Sequence, residues 1–407
     1  MTNAKRVWPW LALAVLAFAA WRVASLGLAD HYAETQPERA LFWRSHHPVA
    51  LLRAAEAAAR DPARADEAAD LARRALHADP LDGRPYRVLA QLALARGDEA
   101  GAAELFTVAA RRAPRDLPAH LWLLDHHLRN GRAAEALPHL DTPLRVHPSL
   151  FARFEPLLLE LAGAAPLHAP LADTLASQPP WRARFLRLVA SKAGDIDAVA
   201  PLFEAVRRTE GGLAANELGP WLDRLVREGR VGQAYLLWAA NLPPERRTRL
   251  GNVFNGGFEL EPEAVGFDWR FGRVAGARIS RLGGPGVGGR VALRVAFEDR
   301  RVPFSHVRQM LALPPGEYEL SLRARADSLR TERGLVWEIS CVAGGGPLAG
   351  TPPLRGHGDW RELAVAFTVP EGCEGQWLAL RLPARIPAEQ RIGGRAWFDD
   401  LKITRVP

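Results

Sequence analysis

The sequence predicts a multidomain chain: an N-terminal membrane helix, then an all-α solenoid of helical repeats, then an all-β jelly-roll sandwich. Three observations predict it. Lys5-Arg6 precede a long apolar stretch that begins at Val7. Pro80, Pro114 and Pro148 fall 34 residues apart, the period of a helix-turn-helix repeat unit. Past Gly251 this pattern gives way to Gly-rich, strand-like sequence that closes on Trp397-Phe398-Asp399-Asp400-Leu401-Lys402-Ile403. The expected segments are residues 1–29, a membrane anchor or signal; 30–245, the helical repeats; and 252–407, the β-sandwich.

In the first segment, Val7 to Trp21 is free of charge, Arg22 interrupts, and Val23 to Ala29 continues with Ser25 as its polar residue. A helix over Val7 to Ala29 is long enough to cross roughly 30 Å of hydrocarbon. Arg22, near its far end, can snorkel to the headgroups. Lys5 and Arg6 would stay on the cytoplasmic side and the body would be exported. A cleaved signal peptide fits the same stretch, since Ala17-Phe18-Ala19 and Gly27-Leu28-Ala29 offer small residues at cleavage spacing. A buried soluble helix is the third reading.

The whole-chain composition is that of an ordinary globular protein, 48% hydrophobic and 24% charged over 407 residues, enough for two or three domains. Its Ala, Arg, Leu, Gly and Pro bias is the one GC-rich codons produce, so the basic isoelectric point carries little weight. A net charge of +7 is mild for this length and suits an acidic glycan or an anionic lipid. Nucleic acid is disfavoured: there is no zinc-finger spacing, no RNA-binding aromatic motif and no dense basic stripe. The two cysteines, Cys341 and Cys373, either pair in an oxidising compartment or are two small buried side chains. Neither has Cys or His neighbours at zinc-site spacing.

The helical segment is clearest between Gly83 and Pro114. Ala90 and Ala102 let two helices approach closely, Gly97 ends the first helix, Asp98 caps the second, and Phe106 plugs the groove to the next unit. Ala68, Ala72, Ala75 and Pro80 repeat this register one unit earlier, and Leu123, Gly131, Ala136, Leu140 and Pro148 one unit later. Glu56, Leu124 and Pro143 depart from it. These residues resemble the tetratricopeptide-repeat family over about residues 49–148. That resemblance implies a superhelix with a concave surface for a protein partner. From Ser149 to about Glu245 the repeats are degenerate, with a turn echo at Gly194-Asp195 and Gly229-Arg230. Trp181, Trp221 and Trp238 are expected as core plugs between helices. His46-His47 and His126-His127 are expected as surface or groove residues, because neighbouring helical positions point about 100° apart.

The last segment offers eight candidate strands: 267–271, 291–297, 302–311, 318–326, 335–342, 362–369, 377–382 and 397–403. Tyr318, Leu320, Leu322 and Ala324 alternate with Glu319, Ser321, Arg323 and Arg325, the period of a half-buried strand. Gly283-Gly284-Pro285-Gly286-Val287-Gly288-Gly289 reads as a flexible loop, lacking the Lys and Ser/Thr of a phosphate loop. The opening Asn255-Gly256-Gly257-Phe258-Glu259, the Phe267-Asp268-Trp269 run, the Pro315-Gly316-Glu317-Tyr318 turn, the Trp360 strand start and the closing Trp397-to-Leu401 strand are similar to the carbohydrate-binding modules among galactose-binding-like jelly rolls. The resemblance covers about residues 252–407. It implies a structural calcium, for which Glu259 and Asp399 or Asp400 are the matching acidic residues. It also implies a glycan platform. Of Trp269, Trp337, Trp360 and Trp377, at least two are expected in the core; Trp269 with Asp268 and Trp360 with Asp359 are the expected glycan-binding pairs.

No carboxylate pair, nucleophile elbow or phosphate loop argues for catalysis. The expected function is an exported, membrane-anchored, non-catalytic adaptor, sited at a bacterial inner membrane with its body in the periplasm. Its repeats would bind a membrane-protein partner and its jelly roll an envelope polysaccharide, in polysaccharide synthesis or export. The alternative is a pure protein scaffold or assembly subunit of an inner-membrane complex, with no glycan site.

Overall fold

The computed structural model describes residues 4–406. The first helix, Ala4–Tyr32, contains the stretch Trp10–Tyr32, which is long and apolar enough by length and composition to cross a membrane. Its last turns are different in kind from its middle. Ser25, Ala29 and Ala33 are buried, and Ala33 clusters with Ala40 and Ala50 of the next two helices. Asp30 Oδ1 sits 2.8 Å from His47 Nε2, and His47 Nδ1 accepts from Ala50 N, capping the helix Pro48–Ala58. His47 is thus a helix cap, a structural use of its ring.

Three helical hairpins follow: Pro48–Ala58 with Ala65–Ala78, Arg84–Ala95 with Glu99–Arg112, and Leu117–Arg129 with Ala133–Val146. Pro80, Pro114 and Pro148 each stand just past a hairpin's second helix, where proline cannot continue the hydrogen-bond ladder. Gly97 takes φ of +79°, a conformation glycine adopts without a Cβ clash, and turns the chain between the two helices of the middle hairpin. Asp98 then caps Glu99–Arg112 by accepting from Gly101 N at 2.8 Å. Ala102 is fully buried, and Phe106 stacks on Trp122 of the next hairpin with ring centroids 4.4 Å apart. Glu56, an apparent departure from the repeat pattern, has a physical reason. It pairs with Arg53 on its own helix and with Arg87 on the next hairpin, and Arg87 goes on to Asp116 at 2.8 Å. Burial raises the Glu56 pKa, but hydrogen bonds from Arg53 and Arg87 outweigh it and hold the group below its ordinary value.

Six further helices run from Phe151 to Ala240. Asp195 caps Ile196–Arg208, and Trp181, Trp221 and Trp238 are all buried. By its contacts the chain divides into two units. One holds the residues up to Phe185 with Gly194–Glu210; the other holds Leu186–Ala193 with everything from Gly211 onward. The division therefore falls earlier than the change in composition near residues 245–252. Helices Ala215–Arg227 and Val231–Ala240 belong with the sandwich. Tyr235 and Trp238 pack edge-on against Phe267 and Phe254, with centroids 5.2 and 5.0 Å apart.

The β-region has ten strands: β1 Arg270–Phe271, β2 Ala277–Leu282, β3 Ala292–Arg301, β4 Val307–Leu311, β5 Gly316–Thr331, β6 Val336–Cys341, β7 Pro347–Gly350, β8 Gly356–Val369, β9 Gln376–Arg381 and β10 Arg391–Arg405. They form two antiparallel five-stranded sheets, in the orders β1-β4-β9-β6-β7 and β2-β3-β10-β5-β8. β2 and β7 are additional to the eight strands read from the sequence; both are short and lie at sheet edges, where half-burial leaves weak alternation. The core between the sheets holds Trp269, Trp337, Phe398 and the inward residues of β5. Cys341 and Cys373 are joined by a disulfide, their Cα atoms 5.5 Å apart, tying the end of β6 to the loop before β9.

Candidate functional site

The Asn255-Gly256-Gly257-Phe258 opening is structural. The Asn255 side chain exchanges hydrogen bonds with the backbone of Leu260, and Gly256 O accepts from Leu401 N at 3.1 Å, so the loop is sewn to β10. The ring of Phe258 is buried beside Trp269, centroids 5.0 Å apart. Trp269 is 0% exposed, its Nε1 donating to Asn255 O. The expectation that Trp269 offers its ring to a glycan is therefore corrected: the sandwich consumes that ring as core. Asp268 is buried too. Its Oδ2 accepts from Arg246 Nη2 and from Glu263 N, and its Oδ1 from Trp269 N, each at 2.7 Å. Burial raises the Asp268 pKa, with those hydrogen bonds and the Arg246 charge opposing. Asp268 is a clamp between the helix Pro244–Arg247 and the sandwich, not a sugar ligand.

Asp359 and Trp360 lie at the surface, on β8. Asp359 is exposed and its Oδ1 accepts from Trp360 N at 2.8 Å. Trp360 is half-buried; its Nε1 donates to Pro285 O at 2.9 Å and the Arg323 guanidinium lies 5.2 Å from the ring centroid. The Gly-rich loop between β2 and β3, read as flexible, is anchored at three points. These are Trp360 on Pro285 O, Arg323 on Gly286 O at 2.9 Å, and Gly288 N on Asp399 Oδ2 at 2.8 Å. Gly286, at φ +76°, passes so close to the indole that a Cβ would lie 2.5 Å from Trp360 Cδ1.

Glu259, Asp399 and Asp400 converge beside Gly257. A Cβ there would stand 3.6 Å from Asp399 Oδ1, 3.9 Å from Asp400 Oδ1 and 4.0 Å from Glu259 Cγ. Glu259 Oε1 accepts from Arg290 N at 2.7 Å and Val291 N at 3.3 Å. Burial raises its pKa, but these bonds hold it below its ordinary value. Burial, then the neighbouring Asp400, pushes Asp399 up against the Gly288 hydrogen bond. Among the described residues, no group of three or more His, Cys, Asp or Glu side chains is arranged to hold a metal ion.

Of the other two candidate tryptophans, Trp337 is 0% exposed and Trp377 reaches the surface on β9. The register of β1, β4, β9 and β6 puts Arg308, Trp377, Ala379, Arg381 and Glu338 on the outer face of one sheet. Arg270 and Arg308 lie 5.5 and 4.5 Å from the Trp377 ring centroid. Glu338 is taken up by Arg381. Trp377 is a candidate in the sequence without a partner there; its place on the strand between those of Arg308 and Glu338 is set by the sheet register.

The chain matches no model of a known protein family and no curated protein. Solved structures similar to its parts are distant. A CBM4 structure is 17% identical over 38% of this chain and 99% of its own, with a TM-score of 0.29. TmCBM61 in complex with beta-1,4-galactotriose is 17% identical over 39% and 99%, with a TM-score of 0.28. YrrB, described as a TPR protein with an unusual peptide-binding site, is 14% identical over 50% and 89%, with a TM-score of 0.26. At these scores the likeness carries no argument, and function has to be argued from the residues themselves.

Proposed function

We propose that this chain is an exported, non-catalytic adaptor, held to a bacterial inner membrane by its first helix, that binds a protein partner on its helical repeats and an envelope polysaccharide on its β-sandwich. Retention of the first helix is supported by the burial of Ala29 and by Ala33, just past the helix end, which clusters with Ala40 and Ala50, so the Gly27-Leu28-Ala29 cleavage candidate adjoins packed structure. Export is supported by the Cys341–Cys373 disulfide, a bond that persists in oxidising compartments. The role in this reading is in polysaccharide synthesis or export, to which a membrane-held body with a glycan-binding sandwich is suited.

The observation that carries the glycan half is Trp360. Its indole is fixed by the bond to Pro285 O, stays partly exposed, and has the exposed Asp359 carboxylate beside it. A fixed aromatic face next to hydrogen-bonding groups is what a sugar ring needs in order to stack and be oriented. Affinity electrophoresis of the full-length protein through gels containing envelope polysaccharide tests this. Wild type is expected to be retarded and Trp360→Ala to run several-fold faster, with a Kd in the range of about micromolar to millimolar. Equal retardation of wild type and a folded Trp360→Ala removes this tryptophan from the site. No retardation of wild type leaves the protein-scaffold reading.

Calcium belongs to the same proposal. Glu259, Asp399 and Asp400 supply hard oxygens around Gly257; Glu259 and Asp399 retain lone pairs beyond their backbone hydrogen bonds, and Asp400 beyond its ion pair with Arg323. An ion there would require those side chains to close up from their present positions.

A further inference from the structure

We propose that a second site, the cleft beside Trp377, binds a carboxylate-bearing saccharide, a uronate unit of an acidic polysaccharide. The cleft has a volume of about 600 Å³, within the size range of small-ligand sites, and lies inside the C-terminal unit. One wall is the outer face of β1, β4 and β9; the other is made by helix Ala215–Arg227 and the short stretch around Arg187 and Ser191.

Its charge is unbalanced. Arg187, Arg227 and Arg270 line it and Arg308 lies against its tryptophan, whereas Asp223 is the carboxylate in the lining, 3.2 Å from Arg270. Arg187 and Arg308 form no ion pair with a carboxylate among the described residues. Arg270 and Arg308 are direct partners in the β1–β4 register. Like charges facing each other across neighbouring strands oppose sheet formation. Trp377, on the neighbouring strand β9, brings its neutral ring within reach of both, while Asp223 reaches Arg270 and no carboxylate pairs with Arg308 among the described residues. Arg270 Nε is also buried without a hydrogen-bond partner. An arriving carboxylate relieves the repulsion and satisfies guanidinium forks, whose planar geometry matches it.

The remaining lining points to a sugar rather than to a bare anion. Met310, Pro220, Val226 and Val342 give the cleft apolar walls beside the Trp377 indole. Those walls suit the C–H face of a pyranose, while inorganic phosphate gains nothing from them. The saccharide class rests on the reading of the sandwich as a glycan-binding unit; the anion preference does not.

Titration calorimetry on the full-length protein, with oligogalacturonate, a neutral oligosaccharide of equal length and inorganic phosphate as probes, tests the inference. Oligogalacturonate is expected to bind at least about tenfold more tightly than the neutral sugar, and to weaken as salt rises. Arg308→Gln and Arg187→Gln, both at exposed positions without ion-pair partners, should each weaken it by about tenfold. Neither should lower the Tm, and Trp360→Ala should leave this binding unchanged. Equal affinity for acidic and neutral sugars, or unchanged binding in both arginine variants, overturns the site while the Trp360 reading stands. Phosphate competing as well as the uronate overturns the saccharide assignment and leaves an anion site. Silence of all three probes overturns this site, while the Trp360 reading is decided separately by the gels containing envelope polysaccharide.

Discussion

Asp268 accepts three hydrogen bonds of 2.7 Å and neutralises a buried arginine, so its loss has a size that can be stated. Asp268→Ala removes the buried partner of Arg246, leaving it the half-exposed Glu263, and strips Glu263 N and Trp269 N of their acceptor; it should cost about 3–5 kcal/mol, read as a large drop in the denaturant midpoint. A change near zero would mean that Glu263, 3.2 Å from Arg246 Nη1, takes over the charge. His139 is a second residue with a readable signature. It lies beside His120, Nδ1 to Nδ1 3.1 Å, and its ring stacks on His127. Burial, then the neighbouring His120 and His127, brings its pKa down to about 4. His120 and His127 are lowered as well, each by burial first. Around them stand His126 on Glu99, and Glu135 shared by His127 and Arg132. An unfolded imidazole protonates near 6.5 while the folded His139 stays neutral down to about 4. Between those values unfolding takes up a proton, so stability is present above pH 6.5 and is lost as pH falls toward 4. Thermal unfolding of the full chain should show Tm falling across that window, and His139→Gln should flatten the slope. Parallel slopes for both proteins would remove His139 from the effect.

At the scale of elements, the hairpins and the loop that joins β2 to β3 behave oppositely. The hairpins are local: a proline stop, a glycine turn and an aspartate cap recur at a fixed interval, and the helices form where those signals fall. The loop is organised by what lies across the sheet from it. Trp360, Arg323 and Asp399, from β8, β5 and β10, hold it, and it in turn covers the carboxylates near Gly257. If calcium sits among Glu259, Asp399 and Asp400, chelation should lower the Tm of the full-length protein and added calcium should restore it, by RT ln(1 + [L]/Kd) in free energy. A melting curve indifferent to chelator and calcium would leave these carboxylates to the loop's backbone N–H groups and to the Arg290 and Arg323 guanidinium groups.

At the scale of the molecule, the first helix sets the prediction for topology. With the body exported, protease added to intact spheroplasts should degrade residues beyond Tyr32, and the disulfide should be found closed in protein taken from cells. Full protection until lysis would place the body in the cytoplasm and remove the glycan reading with it. The helices from Ala215 to Arg247 show why a domain boundary is hard to place by composition. They look like one more degenerate repeat, yet Tyr235, Trp238 and Arg246 are spent on Phe267, Phe254 and Asp268 of the sandwich.

What was readable in the chain alone was whatever is encoded over short range. Pro80, Pro114 and Pro148, Gly97, Asp98 and Ala102 announce the hairpins, and the alternation from Tyr318 to Ala324 announces β5, because backbone conformation and one-sided burial leave periodic marks. The two cysteines were visible but not their meeting, since a bond across 32 residues depends on where β6 ends and β9 begins. The fate of the tryptophans was invisible. Trp269 stands between Asp268 and Arg270 and Trp377 between Gln376 and Leu378, both in strand-like stretches, yet the one with charged neighbours is core and the other faces a cleft. That difference arises from which side of the sheet each residue meets and from what packs on that side, and no neighbour in sequence carries that information. The same holds for Arg270 and Arg308, 38 positions apart in the chain and opposite one another in the sheet.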